Sequence, residues 1–172
     1  EIIPDSSRLL IGHQIPDEYK ADTYAEGIIP PIAVAKVKSK DEIIKLVNYC
    51  IEKDYKIIAR GGGTGVTGAQ HPFQENTIII DVSLMNRIIG LDEETMTLTV
   101  EPGVLLHEVQ EFVESKGYFY PPDPGSKYSS IGGNVATNAG GMRAVKYGTT
   151  RDYVRAIDVV LPTGEEVTLG SL

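Results

Sequence analysis

Apolar residues recur along this chain with two different periods, and the changes of period mark its elements. Within DEIIKLVNYCIEKD, Ile43, Val47, Cys50 and Ile51 fall at helical spacing behind Ser39, a good N-cap, so an α-helix with one buried face is predicted. A second helix is predicted from Val104 to about Lys116, with Leu105, Val109, Phe112 and Val113 on its inner face and Gly117 as its stop. Strands are predicted at 32–37, 56–59, 77–81, 95–101, 154–161 and 166–169. TIIID, residues 77–81, is apolar in succession, as a strand buried on both faces would be. MTLTVE alternates, which suits a sheet with one wet face.

These elements describe an α+β protein of two lobes. Residues 31–90 are expected to form the first, with at least some parallel strands, and residues 91–172 the second, with antiparallel strands and the Val104 helix. Residues 1–30 precede them as a helical or extended segment. Neither an internal repeat nor a low-complexity tract interrupts the pattern.

Composition narrows the class. The 172 residues are 41% hydrophobic and 23% charged, ordinary values for a globular protein. No apolar run approaches the roughly 20 residues that span a bilayer, and EIIPDSSRLL lacks the basic flank and apolar core of a signal peptide, so a cytoplasmic protein is expected. The net charge is -8 and the basic residues form no block, which argues against nucleic acid as a partner. A single cysteine, Cys50, excludes an internal disulfide and reads as a small buried apolar residue. His13, His71 and His107 lack metal-ligand spacing, and no metal site is expected; His71 reads as a loop residue, the other two as surface or capping residues.

RGGGTGVTG, residues 60–68, places five glycines in nine positions directly after a predicted strand. The spacing from Gly63 to Gly68 imitates a Walker A loop, but Ala69 and Gln70 stand where lysine and a hydroxyl residue are needed. Gly63, Gly65 and Gly68 also spell GxGxxG, with Asp81 ending a strand further on. A dinucleotide fold of that kind requires a helix after the glycines, however, and the short stretch 69–76 with Pro72 has no helical period. Glycines cost about 0.5–1 kcal/mol each relative to alanine, and a surface turn needs only one or two. The remainder is accounted for by close approach of backbone amides to an anion such as a pyrophosphate.

A second dense stretch, residues 120–154, reads YPPDPGSKYSSIGGNVATNAGGMRAVKYGTTRDYV. Pro121, Pro122 and Pro124 stiffen the backbone around Asp123. Gly132 and Gly133 open the segment NVATNA; if it is helical, Asn134 and Asn138 share a face and the glycine amides are offered to a second anion or to flavin oxygens. Capping of the loop's own backbone is the alternative for the asparagines. Arg60 either neutralises phosphate charge or pairs with a carboxylate. Arg143, Lys146 and Arg151 form either a solvated basic face or a site near phosphate or an acidic substrate.

With RGGGTGVTG, TIIIDVSLMNRI, VEPGV, PPDPGS, IGGNVATNAGGMRAVKYGTTRDYV and VVLPTGE, the sequence resembles the FAD-linked oxidase family built on the vanillyl-alcohol oxidase and p-cresol methylhydroxylase type of flavin domain. Its likeness within that family is to the D-lactate dehydrogenase and glycolate oxidase (flavoprotein subunit) branch. The resemblance implies a two-lobe α+β FAD-binding domain whose second lobe is truncated, the chain being a fragment of a longer protein. FAD would lie between the lobes, its pyrophosphate on Arg60, Gly61, Gly62, Gly63, Thr64 and Gly65, with Gly68 nearby. Pro122, Asp123, Pro124, Gly132, Gly133, Asn134, Thr137, Asn138, Gly141 and Tyr147 would line the ribityl and isoalloxazine side.

Some members of that family attach FAD through a histidine at the place held here by Thr64, so the resemblance implies noncovalent FAD. The activity implied is oxidation of a small-molecule 2-hydroxy acid, glycolate or D-lactate, by hydride transfer to flavin, with a separate electron acceptor and a subunit partner as a further possibility. It would take place in the cytoplasm or peripherally at the inner membrane. The base, the carboxylate clamp and any metal site would lie outside this chain, so no catalytic residue is assigned. A UDP-N-acetylenolpyruvoylglucosamine reductase-like flavoenzyme and a nonenzymatic nucleotide-binding fragment are the alternatives.

Overall fold

A computed structural model describes residues 2–20 and 26–171. Four strands, β1 (Leu9–Ile11), β2 (Ala33–Lys36), β3 (Lys56–Arg60) and β4 (Thr77–Asp81), form one sheet in the order β1-β2-β4-β3. β2, β4 and β3 run parallel, and β1 pairs antiparallel at the edge. The chain passes from β2 to β3 through helix α1 (Lys40–Lys53), the crossover that parallel pairing requires.

Strand alternation sorts the sheet's side chains onto two faces. Ala33, Ala35, Val37, Ile78 and Ile80 pack with Leu46, Val47 and Cys50 of α1, while Val34 and Ile79 pack with Ile15 and Tyr19 of the N-terminal segment. The central strand β4 is therefore buried at every position, as its uninterrupted apolar sequence implies. Ser39 caps α1 by accepting the Glu42 amide at 3.3 Å. Ile51, expected on the inner face, is 53% exposed; the buried stripe centres on Leu46, Val47 and Cys50, and Ile51 lies past its margin.

The N-terminal segment holds β1 and three single 3-10 turns, Ser6–Arg8, Gly12–Gln14 and Asp17–Tyr19. Part of the expected segment 1–30, residues 1 and 21–25, lies outside the described residues. Arg8 fastens this segment to α1 through two guanidinium bonds of 2.8 Å to Glu42.

The remaining strands form two antiparallel hairpins, β5 (Ile88–Asp92) with β6 (Thr97–Val100) and β7 (Ala156–Val160) with β8 (Glu166–Gly170). Between them lie α2 (Leu106–Ser115), α3 (Ile131–Thr137) and α4 (Ala144–Tyr147). Helix α2 starts two residues later than its period suggests, because Leu105 is the N-cap: its amide donates to the Glu108 carboxylate at 2.8 Å, and Leu106, Val109 and Val113 are buried. Val160 packs on the α1 core and Lys40 pairs with Glu166, so the β7–β8 hairpin leans on the first sheet's helix. Among the described residues no helix is long and apolar enough to cross a membrane.

Candidate functional site

The two glycine-rich segments meet at one buried hydroxyl. Ser130, the N-cap of α3, is 2% exposed, and its Oγ accepts the amide of Gly62 at 3.1 Å and that of Gly133 at 3.2 Å. Sequence reasoning missed Ser130, although a serine directly before Ile-Gly-Gly carries the N-cap signature.

The close fit explains several glycines in a way the sequence did not suggest. A β-carbon on Gly61 would overlap Ser130 Oγ, and one on Gly62 would lie 2.6 Å from the Tyr128 carbonyl oxygen. Gly132 is pressed against Pro102, whose carbonyl oxygen would be 2.9 Å from an added β-carbon, and Gly141 against the Asp123 carbonyl, its bridge partner. The expectation that the glycines of residues 61–68 make room for a diphosphate is thus corrected for Gly61 and Gly62: their missing side chains admit the second segment itself. Gly65 differs, since the nearest atom to a β-carbon there would be Gln70 Oε1 at 3.6 Å. Gln70 Nε2 holds the loop by donating to the carbonyls of Gly63 and Gly65 at 3.2 and 3.0 Å. Gly68 is buried with φ 76° in a turn closed by the His71 amide.

The surface of this junction is rich in donors. Among the described residues the amides of Gly63, Thr64 and Gly65 reach no protein acceptor, and Thr64 and Gly65 are exposed. Arg60, at the end of β3, is 7% exposed with its Nη1 unpartnered; it lies over the Tyr19 ring at 4.6 Å. Its guanidinium also reaches under Gly63, whose added β-carbon would lie 2.5 Å from Nη2. Of the two readings for Arg60, carboxylate pairing is not what the structure shows. Asn134, 3% exposed in α3, likewise keeps Nδ2 without a partner. Buried orphan donors cost about 1–3 kcal/mol each and more when charged. Two such donors, Arg60 Nη1 next to Gly63 and Asn134 Nδ2 in the helix that Ser130 caps, fit an anionic group that completes the site.

The other candidate residues divide. NVATNA is helical only to Thr137; Asn138 is the left-handed C-cap, φ 48°, and its Oδ1 accepts the Arg151 amide at 3.0 Å. The shared helical face expected for Asn134 and Asn138 is therefore not formed, and Asn138 serves the loop. The Thr137 hydroxyl donates back to the Gly133 carbonyl at 2.9 Å. Pro122 is buried, its carbonyl accepting from Gln110 Nε2 at 3.2 Å, and Pro124 is half-buried beside Gly141. The Asp123 carboxylate lies 3.4 Å from Arg143 Nε, which removes part of the expected basic cluster's charge. Tyr147 in α4 stacks edge-on with Phe119 at 5.8 Å, and hydrogen bonding to Lys146 holds its hydroxyl below the usual tyrosine range.

Among the described residues no group of histidine, cysteine, aspartate and glutamate could hold a metal ion. His13 is exposed and His107 Nδ1 lies 3.1 Å from the Lys127 carbonyl. His71 is a loop residue but a buried one, with Nε2 3.1 Å from the Glu18 carbonyl.

The chain is 43% identical over 172 residues to a D-lactate dehydrogenase of Anaerostipes hadrus, covering 99% of this chain and 36% of that protein. It is 45% identical over 153 residues to a glycolate oxidase subunit of Bacillus subtilis (strain 168), covering 88% and 32%. The chain thus spans about a third of the length of these relatives. Among solved structures, p-cresol methylhydroxylase with substrate bound superposes with a TM-score of 0.81 at 21% identity over 95% of this chain and 32% of that one, which establishes a shared fold. The model of the FAD binding domain family matches residues 31–170, and the chain belongs to that family.

Proposed function

We propose that this chain holds FAD noncovalently, as the cofactor-binding part of an enzyme that oxidises a 2-hydroxy acid such as glycolate or D-lactate. The observation that carries the reading is the junction at Ser130. The hydroxyl joins the glycine loop, which carries the free amides of Gly63, Thr64 and Gly65 and follows the orphan Arg60 Nη1, to the helix that carries the orphan Asn134 Nδ2. The names of the two relatives, a D-lactate dehydrogenase and a glycolate oxidase subunit, support the substrate class.

In this reading Arg60, the free amides of Gly63, Thr64 and Gly65 and nearby Gly68 hold the diphosphate, Gly61 and Gly62 set the loop against Ser130, and residues 31–90 and 91–172 are the two lobes. Main-chain N–H groups suit this task because each contributes about 1.5–3 kcal/mol to a charged acceptor without a flexible side chain to order. Pro122, Asp123, Pro124, Gly132, Gly133, Asn134, Thr137, Gly141 and Tyr147 face the ribityl and ring side, where Asn134 Nδ2 donates to an acceptor of the cofactor. Asn138 acts there only through the loop it caps. Bound FAD supplies a two-electron acceptor for oxidation of the substrate's C–H bond. A small-molecule acceptor or partner subunit then takes up the electrons, and a cytoplasmic location belongs to the same reading.

The test is direct. The full-length protein, purified and scanned from 300 to 550 nm, is expected to show a flavin spectrum and to oxidise glycolate or D-lactate with an artificial acceptor. A colourless protein that takes up no added FAD would refute the proposal, and NADPH oxidation without turnover of either acid would favour the reductase alternative.

A further inference from the structure

Arg60 and Asp81 end neighbouring parallel strands in register, an arrangement in which opposite charges attract strongly at the edge of a core. They nevertheless form no ion pair. Asp81 Oδ2 accepts the Tyr19 hydroxyl at 2.5 Å and Oδ1 accepts the Ser83 amide at 2.7 Å, so both oxygens are taken. The Arg60 guanidinium rests instead on the face of the Tyr19 ring, and among the described residues it makes no hydrogen bond or ion pair. One tyrosine therefore does two things: its hydroxyl occupies the carboxylate, and its ring supports the cation.

We propose that Tyr19 is a positioning residue for the diphosphate site: by holding Asp81 it denies Arg60 an internal counter-ion and leaves the buried guanidinium to an anion brought by a ligand. The inference rests on the FAD reading above. A cation paired to Asp81 would have to break that pair before it could serve a ligand, whereas a cation resting on an aromatic face is desolvated and unspent. Burial, and then the adjacent Asp81 carboxylate, hold the Tyr19 hydroxyl well above the usual tyrosine range, so it remains a donor throughout the physiological span. Tyr19 comes from the Asp17–Tyr19 turn, far in sequence from either glycine-rich segment, and the His71 contact to the Glu18 carbonyl fixes that turn beside the loop.

The experiment is a titration of FAD into flavin-free full-length protein, followed by quenching of flavin fluorescence, for wild type, Tyr19→Phe, Asp81→Asn, Tyr19→Phe/Asp81→Asn and Arg60→Gln. Tyr19→Phe keeps the ring and frees the carboxylate; affinity is expected to fall roughly tenfold, the scale of one charge-assisted contact. Asparagine at 81 retains the acceptor for Ser83 but cannot neutralise Arg60, so the double variant is expected to recover to within about twofold of wild type. General loosening of the fold would not be cured by a second substitution, which makes the recovery diagnostic. A Tyr19→Phe protein that binds like wild type, or a double variant as weak as the single, overturns this inference. If Arg60→Gln still weakens binding in that case, the FAD reading stands. If wild type binds no FAD, that reading falls and takes this one with it.

Discussion

The Gly62 amide donates to Ser130 Oγ at 3.1 Å across 68 residues of chain, and this bond joins the glycine loop after β3 to the start of α3. Replacing Ser130 with alanine removes the α3 cap, worth about 1 kcal/mol, and takes the acceptor from the Gly62 amide, a net hydrogen bond worth about 0.5–1.5 kcal/mol. Ser130→Ala is expected to be less stable by roughly 2 kcal/mol in urea unfolding, and to bind FAD more weakly because both segments lose their common register. Ser130→Thr keeps the oxygen and should recover most of the loss. An unchanged urea midpoint for the alanine variant would show that the hydroxyl is dispensable.

The glycines of the two segments separate into those that serve packing and those that face outward. Gly62→Ala and Gly132→Ala would drive a methyl against backbone atoms of Tyr128 and Pro102, which cannot swing aside. Each should destabilise the fold by about 1–3 kcal/mol, the usual cost of overpacking. Gly65→Ala meets only an ordinary contact with Gln70 and has no left-handed φ to lose, so its thermal midpoint should stay near wild type. Its methyl would instead add bulk to the loop that carries the free amides, and FAD affinity is where the effect should appear. Equal loss of stability in all three variants would erase the distinction.

Much of this was legible in the sequence, for reasons that can be stated residue by residue. TIIID announced a central strand because burial on both faces removes the need for polar positions, and β4 is buried throughout. Ser39 and Gly117 marked helix ends because capping chemistry is local. The strand Leu9–Ile11 was not foreseen: three residues at a sheet edge carry no period to count. Ile88–Asp92 escaped because Gly90 and a register shift break its alternation. Density of glycine pointed to the two segments, but their reasons for being glycine were hidden, since a clash between Gly61 and Ser130 exists only after folding. The role of Tyr19 was illegible for the same cause: its partners Arg60 and Asp81 are distant in sequence.

Acid stability offers a check on the N-terminal clasp. Hydrogen bonding from the Arg8 guanidinium, more than burial opposes it, holds the Glu42 carboxyl below its ordinary value of 4.5. A depressed folded value contributes stability that is complete above the unfolded value and lost as pH falls through the folded one. Glu42→Gln should therefore be less stable than wild type by about 2 kcal/mol at neutral pH, the scale of a charged hydrogen bond, with the gap closing as pH falls below 4.5. A gap that stays constant down to the acid limb would mean that Glu42 acts by shape and not by charge.

The mode of cofactor attachment provides the last test. A covalent link needs a nucleophilic side chain within reach of the flavin ring, and the glycine loop offers Thr64, whose hydroxyl does not ionise in the physiological range. His71 and Cys50 are committed elsewhere. His71 is buried with its Nε2 at the Glu18 carbonyl, and Cys50 is buried in α1, where desolvation pushes its thiol further from the reactive thiolate. Precipitating the flavin-loaded full-length protein with trichloroacetic acid should leave all yellow colour in the supernatant, and a denaturing gel should show no flavin fluorescence at the protein band. A coloured pellet would mean that some other side chain reaches the ring, and would require the ring-side lining proposed for residues 122–147 to be redrawn around it.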